Sequence, residues 1–232
     1  MRCTMTGNNE SLSWKFYFFN IVLLGALFGL TEALLGKFIR NAGLPRSPFV
    51  AATGFLILAL GLAVFKQKRI IPGITIAGIL SKWLAVPILG LPLLCQVNDH
   101  FAILLNGAFL FAGVAAFRKH IASGWKARSA VAGLAAFGAG ATFFALGRFV
   151  SPCTHLLSFR YASGAATYML TRVVPASLLA AVSFPLGYAL GRRLEKRLLP
   201  LWLARPPLLV PLFGAFTVAC LGVTVLLTAV GF

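Results

Sequence analysis

Long apolar runs separated by short polar segments dominate the pattern of this 232-residue chain. An α-helix needs about 20 apolar residues to cross the hydrocarbon core of a bilayer. The runs that approach this length are Phe16–Leu35, Pro48–Phe65, Ile70–Leu91, Phe101–Phe117, Ala130–Val150, Val173–Leu190 and Leu208–Val230. Residues 151–170 are of mixed polarity and indicate a re-entrant or interfacial segment. The pattern therefore predicts an all-α, polytopic transmembrane helix bundle of six to seven spans.

The composition agrees with this prediction. The chain is 59% hydrophobic and only 11% charged, which is too apolar for an ordinary soluble domain. Its 23 Gly and 12 Pro are compatible with membrane helices, where both residues are commoner than in soluble ones. We therefore expect the lipid bilayer to surround the bundle, in a multi-pass protein of the plasma (inner) membrane.

The net charge of +17 first suggests a nucleic-acid partner. However, the basic residues lie in short clusters between apolar runs rather than on one continuous face, so we predict no nucleic-acid binding. Alternate connections collect 14 Lys and Arg on one side of the membrane and 6 on the other. The positive-inside rule then predicts a cytoplasmic N-terminus and an external C-terminus.

Charge and hydropathy together divide the chain into three segments. These are a cytoplasmic N-terminal tail (1–15), a six-span membrane bundle (16–193), and a basic cytoplasmic loop with the seventh span (194–232). Small residues recur every four positions at Gly25, Gly29 and Ala33, and at Ala108, Ala112 and Ala116. Such faces let helices approach closely. We interpret them as internal packing faces, with docking to another subunit as the alternative.

Only four acidic residues occur, Glu10, Glu32, Asp99 and Glu195. Glu195 lies among basic residues and is expected to form surface ion pairs. Glu32 lies within the first span and Lys82 within the third, where an unpaired charge is costly. The simplest prediction is an intramembrane Glu32–Lys82 ion pair, which is compatible with contact to a substrate.

Two further polar groups are assigned to the outer side. The first contains Gln96, Asn98, Asp99 and His100, with Asn106 two turns deeper in the fourth span. Asp99 is interpreted as an N-cap of that span, with ligand contact as an additional role. The second contains Arg148, His155, Arg160, Tyr161 and Arg172. Arginine suits carboxylate and phosphate recognition, so this group predicts either an anionic ligand or lipid phosphate contact.

No motif for a cofactor or a metal is present. The four cysteines lack metal-ligand spacing. The run Gly29-Leu30-Thr31-Glu32 resembles the start of an undecaprenyl-diphosphate phosphatase motif, but the acidic cluster of such an enzyme is missing. We therefore predict no catalytic residues. A lipid-processing enzyme using Glu32, Asp99 and His100 is the least favoured alternative.

The organisation of Phe16 to Arg193 resembles the substrate-binding S component of energy-coupling factor (ECF) transporters. The resemblance implies a six-span bundle, a gating loop at Lys37–Pro48, and a first-helix face at Gly25, Gly29 and Ala33 that docks on a transmembrane coupling subunit. The seventh span and the external C-terminus depart from that family.

The sequence thus predicts a small-solute uptake component that binds a metabolite or vitamin, anionic in one version, from the outer face. The predicted substrate-binding residues are Glu32, Lys82, Asn98, Asp99, Asn106 and Arg148. No Walker-type ATP-binding motif is present, so a coupling subunit and ATPases are the expected partners. The alternative from another class is a non-transporting membrane scaffold or assembly factor.

Overall fold

The computed structural model describes residues 7–42, 45–84, 93–150, 162–204 and 206–230. Its helices are α1 (Gly7–Asn41), α2 (Arg46–Phe65), α3 (Ile70–Trp83), α4 (Leu93–Ala116), α5 (Arg118–Ser123), α6 (Trp125–Val150), α7 (Ala162–Tyr168), a π-helical turn (Met169–Val173), α8 (Val174–Ala204) and α9 (Pro206–Val230). The described chain contains no β-strand. The predicted all-α transmembrane bundle is confirmed.

Six of the described helices contain a segment long and apolar enough to cross a membrane. Each predicted span falls on one of α1, α2, α3, α4, α6, α8 and α9. Helix α3 has 14 residues and is therefore about 21 Å long, less than the roughly 30 Å of a hydrocarbon core. Residues 85–91, which complete the predicted third span, lie outside the described part.

The core forms where α2 meets α8. These two helices make the most extensive contact in the described bundle. They run in parallel, since Gly187 lies against the backbone of Leu56 and Gly191 lies one turn further along against Leu60. A Cβ atom at either glycine would collide with backbone that cannot move aside. Fully buried Phe55 and Phe184 fill the interior beside this contact.

The glycine face of α1 packs inside the molecule. Gly25 lies against Ala77 and Gly78 of α3, and Gly29 lies against Ser81 one turn further on. This confirms internal packing for these two positions. The docking role implied by the ECF resemblance is wrong for them, because α3 already fills the space where a coupling subunit would pack.

The second small-residue face behaves differently. Ala108, Ala112 and Ala116 are exposed on the outside of α4. The buried face of that helix carries Leu110 and Val114 instead. The prediction that this second face packs inside the bundle is therefore wrong.

Two other expectations from the sequence require correction. The gating loop predicted at Lys37–Pro48 is short, because α1 continues to Asn41 and α2 begins at Arg46. The basic segment after residue 193, expected as a loop, is helical, since α8 continues to Ala204. Hydropathy places a helix end where apolar residues stop, whereas polar residues can extend the helix beyond the membrane.

The π-helical turn has a cause in the sequence. The amide of Val174 donates to the carbonyl of Met169, five residues earlier, instead of four. The next residue is Pro175, which has no N–H, and whose ring clashes with the carbonyl four residues earlier in a regular helix. We attribute the widened turn to relief of that clash.

The helix directions collect the helix ends into two opposite groups. One end of the bundle gathers the C-terminal ends of α1 and α3 with the N-terminal ends of α2 and α4. We call it the cluster end. The other, the basic end, gathers the C-terminal ends of α2 and α8 with α5 and the start of α6. The charge count predicts that the cluster end faces outward and the basic end faces the cytoplasm.

The outer surface of the bundle is apolar. Large hydrophobic side chains are exposed on several helices, among them Leu104, Leu134, Leu178, Leu212 and Phe216. A soluble protein rarely exposes apolar patches this extensive, whereas lipid solvates them readily. Helix α9 packs mainly on α1 and otherwise presents such side chains outward. The chain is therefore an integral membrane protein with several transmembrane helices.

Candidate functional site

An ion-pair cluster ties the first four helices together at the cluster end. Lys82 Nζ of α3 lies 2.9 Å from Glu32 Oε1 of α1 and 3.2 Å from Asp99 Oδ2 of α4. Arg46, in the first turn of α2, lies 3.4 Å from the same Asp99 oxygen and 3.7 Å from Glu32 Oε1. The predicted Glu32–Lys82 pair is confirmed. It belongs to a larger network of two acids and two bases.

The local packing explains how α1 and α3 place this pair. Gly29 allows α3 to approach α1 closely at Ser81, and the Ser81 hydroxyl donates within α3 to the carbonyl of Gly78 at 2.7 Å. Lys82 and Glu32 each follow these contact residues along their helices. Their side chains therefore meet just beyond the closest approach of the two helices.

Burial within the cluster is graded. The side chain of Glu32 is 4% exposed and that of Lys82 is 10% exposed, whereas Arg46 and Asp99 are 29% and 39% exposed. The buried pair is shielded from water, so its Coulomb attraction is strong and its desolvation cost is large. Arg46 and Asp99 therefore form the more exposed side of the cluster.

Two buried oxygen atoms near the cluster have no hydrogen-bond partner within the described chain. They are Glu32 Oε2 and Asn98 Oδ1. A buried acceptor left without a donor costs free energy, commonly about 1–3 kcal/mol. Both atoms can accept hydrogen bonds from water or from N–H and O–H groups of a bound solute.

A tryptophan–histidine pair borders the cluster. Trp83 Nε1 donates a hydrogen bond to His100 Nδ1 at 3.2 Å, and the two rings meet edge to face with centroids 6.1 Å apart. His100 is buried while Trp83 is half exposed. Trp83 and His100 directly follow Lys82 and Asp99 in the sequence, so this contact adds a second link between α3 and α4.

The structure brings together three of the six predicted binding residues, Glu32, Lys82 and Asp99. Asn98 is the neighbour of Asp99 on α4, and Asn106 lies two turns further along the same helix face. The side chain of Arg148 lies outside the described part of the structure, as do His155, Arg160 and Tyr161. The expected N-cap role of Asp99 is wrong, because α4 begins at Leu93 and Asp99 lies within the helix.

Sequence reasoning missed Arg46. In the sequence it was used only as one of the three basic residues between the first two spans, which enter the charge count for the orientation. A signal was available, since Arg46 lies on the side where the positive-inside rule predicts few basic residues. Arg46 shares this predicted side with Arg148 and is therefore an equally good candidate to contact an anion.

A third acid whose side chain the structure describes, Glu195, lies at the basic end. Glu195 forms ion pairs with Lys66 of α2 and, at 3.0 Å, with Arg192 one turn earlier in α8. The predicted surface ion pairs are confirmed. No three His, Cys, Asp or Glu side chains of the described residues converge on a point where they could hold a metal ion.

Comparison of the chain with protein-family models, with curated proteins and with solved structures found no match. The integral membrane character therefore rests on the apolar helices and their exposed hydrophobic side chains.

Proposed function

We propose that the protein is the solute-binding component of a small-solute uptake system, and that the cluster end takes up a small polar metabolite or vitamin. The observation that carries this proposal is the placement of Glu32, Lys82 and Asp99, with Arg46, on four different helices at one end of the bundle. Charged groups at membrane depth are expensive and commonly mark substrate pathways.

The graded burial supports binding rather than structure alone. A purely structural contact between helices is made as well or better by packed apolar side chains. Here the half-exposed Asp99 and Arg46 lead to the buried Glu32–Lys82 pair. When a charged solute enters on this side, its charged groups replace some of the ion-pair partners that the cluster residues have in the empty protein.

The cluster chemistry suggests a solute with both an acidic and a basic or N–H group. A carboxylate or phosphate on the solute competes for Arg46 and Lys82, which favour such anions. N–H groups of the solute donate to Glu32 Oε2 and Asn98 Oδ1, which lack described partners. Two acids and two bases make the site neutral overall, which suits a zwitterionic solute better than a purely anionic one.

The uptake system needs an energy source from elsewhere. The chain carries no Walker-type motif, so a coupling subunit and ATPases of the ECF type are the proposed partners. The exposed Ala108, Ala112 and Ala116 stripe of α4 fits a docking helix better than the buried Gly25 and Gly29 do.

A binding assay on the purified protein in lipid nanodiscs tests the proposal. A panel of amino acids, vitamins and nucleobases is screened for thermal stabilisation, and any positive solute is titrated by calorimetry. We expect Glu32→Gln and Asp99→Asn each to weaken binding at least about tenfold, because each removes a charged partner. Glu195→Gln, at the opposite end, is the matched control and should leave the affinity unchanged. Unchanged affinity in both cluster variants would contradict the proposed site.

A second candidate is a membrane scaffold whose polar residues only hold helices together. The specific observation in its favour is that Lys82 already contacts both acids, at 2.9 Å and 3.2 Å. In that case no solute of the panel stabilises the protein, while disruption of the cluster still destabilises the bundle.

A further inference from the structure

We propose that the basic end contains a second binding site, which takes a phosphate ester carrying a partly apolar body. The site is a cavity of about 640 Å³ between α2, α4, α5, α6 and α8. This volume is within the range of about 300–1,000 Å³ that is common for ligand pockets in proteins, and a bare phosphate ion would not fill it. Its basic lining residues are Lys66, Lys68, Arg118, Arg128 and Arg192.

The charge in this cavity is poorly compensated. The carboxylate of Glu195 at the basic end pairs with Lys66 and Arg192. Among the described residues, no carboxylate lies within ion-pair distance of Lys68, Arg118 or Arg128. Cations that converge on one concave surface produce a positive potential that attracts anions.

Arg128 is held in place without being neutralised. Its Nε donates to the carbonyl of Ile121 at 2.8 Å, and one terminal nitrogen donates to the carbonyl of Ala122 at 3.2 Å. The guanidinium also stacks over Tyr188, 4.0 Å from the ring centroid. These partners are neutral, so the arginine keeps its full charge and its other terminal nitrogen for an anion. Such a fixed fork suits the geometry of phosphate.

The backbone at Lys66 adds an independent observation. Lys66 ends α2 with φ 55°, in the left-handed region, where glycine is normally preferred. For a non-glycine residue this conformation is strained, because Cβ comes too close to the following carbonyl oxygen. The turn leaves both Lys66 and Lys68 lining the cavity, so the strained position carries a cation into the site where a glycine would carry none.

The remaining wall of the cavity is apolar. Its apolar lining residues include Leu62, Val114 and Ile121. The ligand is therefore expected to carry carbon atoms next to its phosphate. Two sources fit this chemistry, the headgroup of an anionic phospholipid and a soluble organic phosphate.

The test uses the full-length protein and two probes, phosphatidylglycerol and glycerol 3-phosphate. Native mass spectrometry in detergent measures bound phosphatidylglycerol, and calorimetry measures glycerol 3-phosphate. The double variant Lys68→Gln with Arg118→Gln removes two lining cations and leaves the Arg128 contacts intact. The matched control is Lys119→Gln with Lys126→Gln, because these exposed residues lie at the same end, carry the same charge and do not line the cavity.

We expect at least one probe to bind, and the cavity variant to bind it about tenfold or more weakly than the control. Lys66→Gly, which keeps the left-handed turn, should also weaken binding without loss of folding. Binding of phosphatidylglycerol alone identifies a lipid headgroup as the ligand, and binding of glycerol 3-phosphate identifies a soluble ester. If neither probe binds, or if the cavity and control variants weaken binding equally, the proposed site is overturned.

Discussion

Lys82 is the residue on which the cluster end depends most. It contacts both Glu32 and Asp99 and is almost completely buried. Glu32 is buried even more completely, so the loss of Lys82 leaves its carboxylate near Arg46 alone, at 3.7 Å. A buried charge that loses its partner is strongly destabilising.

We therefore expect Lys82→Met to lower the free energy of unfolding by about 3–5 kcal/mol. Chemical denaturation of the protein in detergent measures this change. The control is Lys119→Met, since Lys119 is exposed and substitutions of exposed residues usually change stability by less than about 0.5 kcal/mol. Equal stability of the two variants would show that the cluster contributes nothing to the fold.

At the same scale, the sequence predicted the Glu32–Lys82 pair but not the whole network. The pair could be predicted because each residue is isolated in an apolar run, so each needs a partner. Asp99 and Arg46 lie just outside the predicted spans, where capping or contact with water would satisfy a charge equally well. Only the approach of α2 and α4 to the pair assigns them to the cluster.

Among the helices, the contact between α2 and α8 organises the core. Gly187 lies against the backbone of Leu56, and Gly191 lies against Leu60. By contrast, a Cβ atom added at Gly214 or Gly222 of α9 would meet no described atom within 4 Å. Glycines in the same chain thus divide into those that permit close packing and those that do not.

We expect Gly187→Ala to destabilise the protein by about 1–3 kcal/mol, because the added methyl group forces α2 and α8 apart. Gly222→Ala is the matched control. It should be neutral or stabilise α9 by up to about 1 kcal/mol, since alanine favours helix. Thermal unfolding in nanodiscs compares the two variants. A destabilised Gly222→Ala together with an unaffected Gly187→Ala would contradict the described packing.

The apolar runs predicted which helices exist, and every predicted span falls on a helix. They were poorer at predicting where helices end. Helix α4 begins eight residues before the predicted Phe101, and α8 continues well past Leu190. Hydropathy reports the part of a helix in contact with lipid, while the polar turns beyond it are held by ion pairs such as Glu195–Arg192.

Over the whole molecule, the two ends carry different charge. The cluster end holds paired acids and bases, whereas the basic end holds a cavity with several cations that have no carboxylate partner in the described chain. The proposed solute site and the proposed phosphate site therefore open on opposite sides of the membrane. Both proposals depend on the predicted orientation, with the cluster end outside and the basic end in the cytoplasm.

Labelling of single cysteines with a membrane-impermeant maleimide tests this orientation most directly. The native cysteines are first replaced, and a cysteine is then introduced either at Ser47, exposed beside Arg46, or at Lys126, exposed at the basic end. In intact cells we expect Ser47→Cys to react fully, and Lys126→Cys to react only after the membrane is permeabilised. If Lys126→Cys reacts in intact cells while Ser47→Cys reacts only after permeabilisation, the orientation of the protein is the reverse of the predicted one. That result would contradict uptake from the outer face.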